Sequence, residues 1–138
     1  MSADRPVVAY PPVRNADGTY TVPTLDAGPV RILCPAWCTS EHGYVHPPAK
    51  AEITHHGDPV WALADIPEHG PTSLVEVGLV QWPYSDRTQV FLGIETDDGH
   101  QETGPTGARR IAAALRKHAD HIDAMSDKLI ALRAGEDR

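Results

Sequence analysis

Cysteine and histidine crowded between residues 34 and 56 constrain this chain more than any other feature of its sequence. Cys34, Cys38 and His42 form a C-x3-C-x3-H pattern, and four of the eight histidines lie between His42 and His56. Two cysteines are too few to make a disulfide scaffold for 138 residues. In a reducing compartment, clustered cysteine and histidine are typical of metal binding. The pattern therefore predicts a metal centre.

The spacing of these residues suggests how three of them could meet. Pro35 suits the first position of a helix, which predicts a short helical turn from Pro35 to His42. Such a turn places Cys38 and His42 on one face. It leaves Cys34 just before the helix, where backbone N–H groups favour a thiolate. Zinc prefers thiolates and neutral imidazoles in a tetrahedron, so the predicted cofactor is one structural Zn²⁺ with a fourth ligand from elsewhere.

The fourth ligand is predicted from strand alternation in the segment Ala-Glu-Ile-Thr-His-His. Side chains of a strand alternate between its two faces, so His55 shares the face of the apolar Ile53. His56 shares the other face with polar neighbours and is the first alternate, and His46 is the second. The predicted metal ligands are therefore Cys34, Cys38, His42 and His55. Buried free thiols, or a small disulfide with ordinary surface histidines, stay open as the alternative.

The rest of the chain predicts an α+β fold, in which an antiparallel sheet of about five to seven short strands carries the zinc knuckle and one long C-terminal helix packs on the sheet. Residues 1–17 lack periodicity and are predicted to form a mobile arm, followed by a single domain over residues 18–134 and a tail over 135–138. Extended segments are predicted over residues 19–25, 30–33, 51–55, 60–64, 74–82, 88–95 and 100–102.

The C-terminal helix is predicted to begin at Pro105, with Gly104 as its cap, and to end near Ala134 before Gly135. Its apolar residues are spaced alternately four and three apart, with one histidine among them: Ile111, Leu115, His118, Ile122, Met125, Leu129 and Leu132. We expect this stripe to pack on the sheet of its own chain. A coiled-coil seam between two copies is the alternative, because the same spacing fits heptad positions.

The knuckle and the closing helix together resemble a family of small actinobacterial proteins classed as a domain of unknown function. The resemblance rests on C-P-x-W-C-x-x-x-H from Cys34 to His42, on the H-x-G segment that ends at Gly57, and on the Ala-rich helix that starts at Pro105. It extends roughly from Thr19 to Leu132. The resemblance implies that His55 is the fourth ligand, and it implies no activity. Gly104 stands where members of the family often carry threonine.

Charge and motif content narrow the class of function. The net charge of −7 repels nucleic-acid phosphates, and no nucleophile elbow or phosphate-binding glycine loop occurs. We therefore expect a non-enzymatic adaptor or regulatory module that binds a protein partner or forms a homodimer. The chain carries no apolar run of membrane-spanning length and no secretory signal, which predicts a cytoplasmic location. Two alternatives remain, a zinc hydrolase and a nucleic-acid-binding regulator that uses the basic flank of the helix, Arg109, Arg110, Arg116 and Lys117.

Overall fold

The computed structural model describes residues 12–136, and its first three strands form a small antiparallel sheet. Strand β1 is Val13–Arg14, β2 is Tyr20–Pro23 and β3 is Pro29–Ile32. The chain reverses between β1 and β2 at a turn in which Gly18 has a φ of 84°, and the side chain of Asp17 accepts a hydrogen bond from the backbone N–H of Thr19. This sheet ends two residues before Cys34.

A second antiparallel sheet of five strands is built around its longest strand. Strand β4 (His55–His56) and strand β5 (Val60–Ile66) both pair with β6 (Gly70–Gln81). On its other edge β6 pairs with β7 (Phe91–Thr96), and β8 (Gly99–Thr103) lies next to β7. Because β4 covers only the last two residues of β6, His55 stands opposite Gln81 at one end of the sheet.

A helix of 32 residues, α1, runs from Pro105 to Glu136. Proline is favoured at the first helical position because its missing N–H would have no partner there. The chain divides after Glu102 into two compact units, and α1 lies in the second of them. Within residues 12–136, no helix combines the length and the apolar character needed to cross a membrane.

The buried core of the described residues is small and lies in the first unit. Val22 of β2, Ile32 of β3 and Ile53 are each at most 1% exposed, and they form one cluster. Tyr20, Val30 and Tyr44 pack around them. The hydroxyl of Tyr44 also accepts a hydrogen bond from the backbone N–H of Thr54, one residue before His55. The core therefore adjoins the segments that carry the predicted metal ligands.

The predicted α+β class is confirmed, with eight described strands in two sheets where the sequence predicted five to seven in one. Within the predicted arm, Val13–Arg14 form a strand, which the sequence did not reveal because two residues are too few to show alternation; residues 1–11 of the arm lie outside the described residues. The helix extends through Gly135 to Glu136, since Gly135 does not adopt the left-handed conformation that ends many helices. Packing of α1 on the sheet, and a single domain over residues 18–134, stay predictions.

Candidate metal centre

The segment from Cys34 to His42 forms a turn, so the predicted helical turn is wrong. The backbone N–H of Cys38 donates to the carbonyl of Pro35 at 3.0 Å, which closes a four-residue turn around Ala36 and Trp37. Helical bonding does not continue beyond it. The backbone N–H of Thr39 instead donates to the carbonyl of His56 at 3.0 Å. This bond ties the knuckle directly to strand β4.

His42 is held by a conformation that few residues adopt. Its φ is 54°, in the left-handed region, and its backbone N–H donates to the side-chain oxygen of Ser40 at 3.0 Å. This local bond competes with helical bonding, which explains why the spacing of Cys38 and His42 did not produce a helix. The imidazole of His42 is 1% exposed and directs its Nε2 atom towards both sulfurs.

His55 and His56 lie on opposite faces of β4, as the alternation predicted. His55 is 4% exposed and its ring lies 5.4 Å from the ring of His42, centroid to centroid. His56 is exposed and stands outside the cluster, and so does the exposed His46. The structure therefore brings His55, and neither alternate, close to Cys34, Cys38 and His42, and the assignment of His55 as a metal ligand stays a prediction.

One ligand atom from each of Cys34, Cys38, His42 and His55 lies within 4.8 Å of the other three. The Nε2 atom of His42 is 3.0 Å from the Sγ atom of Cys34 and 3.8 Å from that of Cys38. Tetrahedral zinc, with bonds of ~2.0–2.3 Å, requires ligand atoms roughly 3.3–3.8 Å apart. Small adjustments of the side chains would therefore give a tetrahedral shell, and these residues fit a zinc ion.

The hydrogen-bonding state of the two histidines also fits a metal. Among the described residues, the buried side-chain nitrogen and oxygen atoms without a hydrogen-bond partner are the Nδ1 atoms of His42 and His55. A buried polar atom without a partner is costly, and such atoms in a folded protein call for an explanation such as an ion. Both atoms belong to residues of the proposed ligand set, but His42 faces the two sulfurs through Nε2, so an ion in the cluster is a candidate explanation only for the Nδ1 atom of His55.

Burial sets the protonation of the ligands. It lowers the pKa of His42 to about 4, with a further contribution from His55 and His56, so this imidazole is neutral at pH 7. Burial and the nearby His56 also lower the pKa of His55. Burial, together with the neighbouring Cys38, raises the pKa of Cys34 to about 11. Neutral imidazoles are ready to bind a metal, whereas the thiols must lose their protons on binding.

Aromatic residues and a glycine pack around the cluster. Trp37 meets His55 edge to face at 6.4 Å between ring centroids, as expected for a tryptophan that packs within the knuckle. Gly57 follows the histidine pair, and a Cβ atom there would come within 3.1 Å of the carbonyl oxygen of Trp37. A glycine at this position therefore lets β4 approach the turn that carries the cysteines.

Comparison with known protein families gives one match. The model of a domain of unknown function, DUF6907, matches residues 19–131. The chain belongs to this family. No curated protein and no solved structure matches it. The matched range nearly coincides with the range over which the sequence resembled such a family, and it includes all four residues of the candidate metal centre.

Sequence reasoning missed one contact of this DUF6907 domain. The ring of Tyr20 lies 5.2 Å from that of His42, which places an aromatic side chain of β2 against a proposed ligand. Alternation along β2 could have indicated it, because Tyr20 shares a face with the buried Val22.

Proposed function

We propose that this domain is a non-enzymatic adaptor or regulatory module, held in shape by one structural zinc ion, that binds a protein partner or another copy of itself. The observation that carries the proposal is the closed set of four ligand residues, two thiols and two imidazoles, with their ligand atoms within 4.8 Å of one another. Catalytic zinc sites keep one position for water or substrate, whereas structural sites are filled by four protein ligands. The ligand set therefore favours a structural role over a hydrolase.

The positions of the ligands support a role in organising the fold. Cys34 follows directly on the three-stranded sheet, and His55 lies in β4 of the five-stranded sheet. One ion would join the segment that follows the three-stranded sheet to a strand of the five-stranded sheet. Over residues 12–136 the core of three buried hydrophobic residues is small, and domains with small cores commonly depend on metals or disulfides for stability. Structural zinc contributes an apparent ~10–16 kcal/mol in small metal-dependent domains, enough to decide whether such a domain folds.

Metal content and thermal melting of matched variants test the structural role. We expect the purified protein to contain one zinc ion, and Cys38→Ser to lose both the ion and cooperative melting. His55→Ala is expected to do the same. His56→Ala is the control, because it removes the neighbouring exposed imidazole and should keep the zinc and the melting temperature. Wild-type protein that lacks metal and melts identically with and without chelator would contradict the proposal.

Binding is tested separately from metal content. The zinc-loaded protein is expected to form a homodimer at cellular concentration or to retain a specific partner in a pull-down that Cys38→Ser protein does not retain. A strictly monomeric protein that retains no partner would contradict the adaptor role and leave the metal centre standing.

A further inference from the structure

The long helix carries an exposed apolar stripe that the metal centre does not use. With Leu115, Ile122 and Leu129 assigned to heptad position a, position d holds the remaining four members of the stripe, Ile111, His118, Met125 and Leu132. Five of these seven side chains are about half exposed or more, with exposed fractions of 51% for Leu115, 55% for Ile122, 72% for Met125, 49% for Leu129 and 56% for Leu132. Isolated apolar side chains on a surface are ordinary, but a regular series of them marks an interaction surface.

The residues beside the stripe indicate what kind of surface it fits. Helices that pack on a sheet carry a broad apolar face, whereas a strict a/d stripe with polar flanks is the narrower seam of a coiled coil. Here positions e and g hold alanine in the first part of the helix and polar residues in the second, Ser126 and Arg133 at e, and His121 and Lys128 at g. The stripe spans three heptads, the shortest length at which a/d spacing indicates a coiled coil, and the charges that accompany such a seam stand beside its second part, in Lys128 and Arg133.

We infer that α1 is a dimerisation helix that pairs antiparallel with α1 of a second copy of this chain. Antiparallel pairing matches each a position with a d position of the other helix. It sets Leu115 against Leu132, Ile122 against Met125 and His118 against Leu129. The six residues of these three pairs all belong to the same helix of the chain, so the surface is self-complementary, as a two-fold dimer requires.

Charge selects the antiparallel orientation. In a parallel pair, position g of one helix faces position e of the next heptad in the other, which would set Lys128 against Arg133. The antiparallel pair sets Arg133 opposite Ala112 and avoids this repulsion. It also aligns the positive end of each helix dipole with the negative end of the other. The dimer rests on the proposed function and is the case in which the domain binds another copy of itself.

Sedimentation equilibrium of the full, zinc-loaded chain tests the dimer. We expect wild-type protein to be dimeric at micromolar concentration and Ile122→Asp to raise the dissociation constant on the order of 100-fold, because it buries a carboxylate in the seam. Ile130→Asp is the matched control. Ile130 is 68% exposed on the same helix but lies outside the stripe, so its substitution should leave the dissociation constant unchanged. Circular dichroism checks that both variants keep their helix.

A wild-type monomer at 100 µM, or an equal effect of both substitutions, would overturn the inference. A monomer that still contains zinc would leave the metal centre intact, so failure of the dimer is distinguishable from failure of the zinc site.

Disulfide trapping tests the orientation. Copies carrying Leu115→Cys and copies carrying Leu132→Cys should cross-link when mixed under mild oxidation and should not cross-link alone, because residues 17 apart on a helix are about 25 Å apart. Peptide mapping by mass spectrometry separates these disulfides from any formed by Cys34 or Cys38. Cross-linking of either variant with itself, without cross-linking of the mixture, indicates a parallel pair and overturns the proposed orientation.

Discussion

Burial of single side chains sets the protonation of His42, His55 and Cys34 in the candidate metal centre. The buried His42 has a pKa lowered to about 4, and that of His55 is lowered too, so neither ring carries a proton to be displaced at neutral pH. The pKa of Cys34 is raised to about 11 by burial beside Cys38, so its thiol keeps its proton until a cation binds. A divalent cation would remove the repulsion between two adjacent thiolates.

Proton release during zinc binding is the prediction that follows at this scale. Metal uptake by the metal-free protein near pH 7 should release the proton of the Cys34 thiol and none from the histidines. The apparent zinc affinity should then rise by about 10-fold or more per pH unit between pH 6.5 and 8, because at least one proton leaves for each ion bound. Calorimetry in buffers of different ionisation enthalpy measures the stoichiometry. A release of three protons or more would mean that an imidazole is charged before binding.

Short elements of this protein depend on a few fully buried side chains. Strands β2 and β3 have four residues each, and β4 has two. A cluster of three buried hydrophobic residues packs these strands together next to the knuckle. One of the three, Ile53, is 0% exposed and lies two positions before His55. Elements this short have little stability of their own, so packing around the cluster holds them in place.

Truncation of Ile53 tests that dependence. Ile53→Ala should lower the free energy of unfolding of the zinc-loaded protein by about 2–5 kcal/mol, because it leaves a cavity in the centre of the core. Ile66→Ala removes the same atoms at a site that is 37% exposed, and it should cost about 1 kcal/mol or less. Urea denaturation followed by tryptophan fluorescence gives both values. Equal costs would show that the cluster is not the core on which the first unit depends.

Elements with a local signal were the ones that the sequence predicted well. Pro105 and the stripe of α1 define a helix, and the apolar runs of β6 and β7 define strands, although β6 begins at Gly70, four residues before the predicted start. The four predicted ligand residues, which the structure brings close together, also followed from local spacing and strand alternation. The conformation of the knuckle did not, because the bond from Thr39 to His56 depends on a strand that lies later in the sequence, and the spacing of the ligand residues does not encode the left-handed φ of His42. The division of the strands between two sheets depends on non-local pairing in the same way.

The overall charge of the molecule bears on whether the domain binds a protein or a nucleic acid. The chain carries 19 acidic and 12 basic side chains, and the basic residues near the start of α1 are followed by Asp120, Asp123 and Asp127. Binding to nucleic acid requires a concentrated positive surface, because affinity comes mainly from contacts with phosphates. The balance of charge over the molecule favours a protein partner.

An electrophoretic shift assay at low salt tests this conclusion. The zinc-loaded protein should not retard duplex DNA at 10 µM protein in 50 mM salt. The double variant Arg109→Glu/Arg110→Glu serves as the comparison, and the DNA should migrate equally with the variant and with the wild type. Salt-sensitive retardation that disappears in this variant would favour the nucleic-acid-binding regulator.

The order of the ligands along the chain has a consequence for how the protein is made. All four lie between residues 34 and 55, whereas β4 finds its sheet partners at Val80 and Gln81. During synthesis the complete ligand set therefore emerges from the ribosome some 25 residues ahead of the strand that β4 joins. We expect the nascent polypeptide to bind the ion. The bound ion would then hold β4 in position before β6 is synthesised and pairs with it.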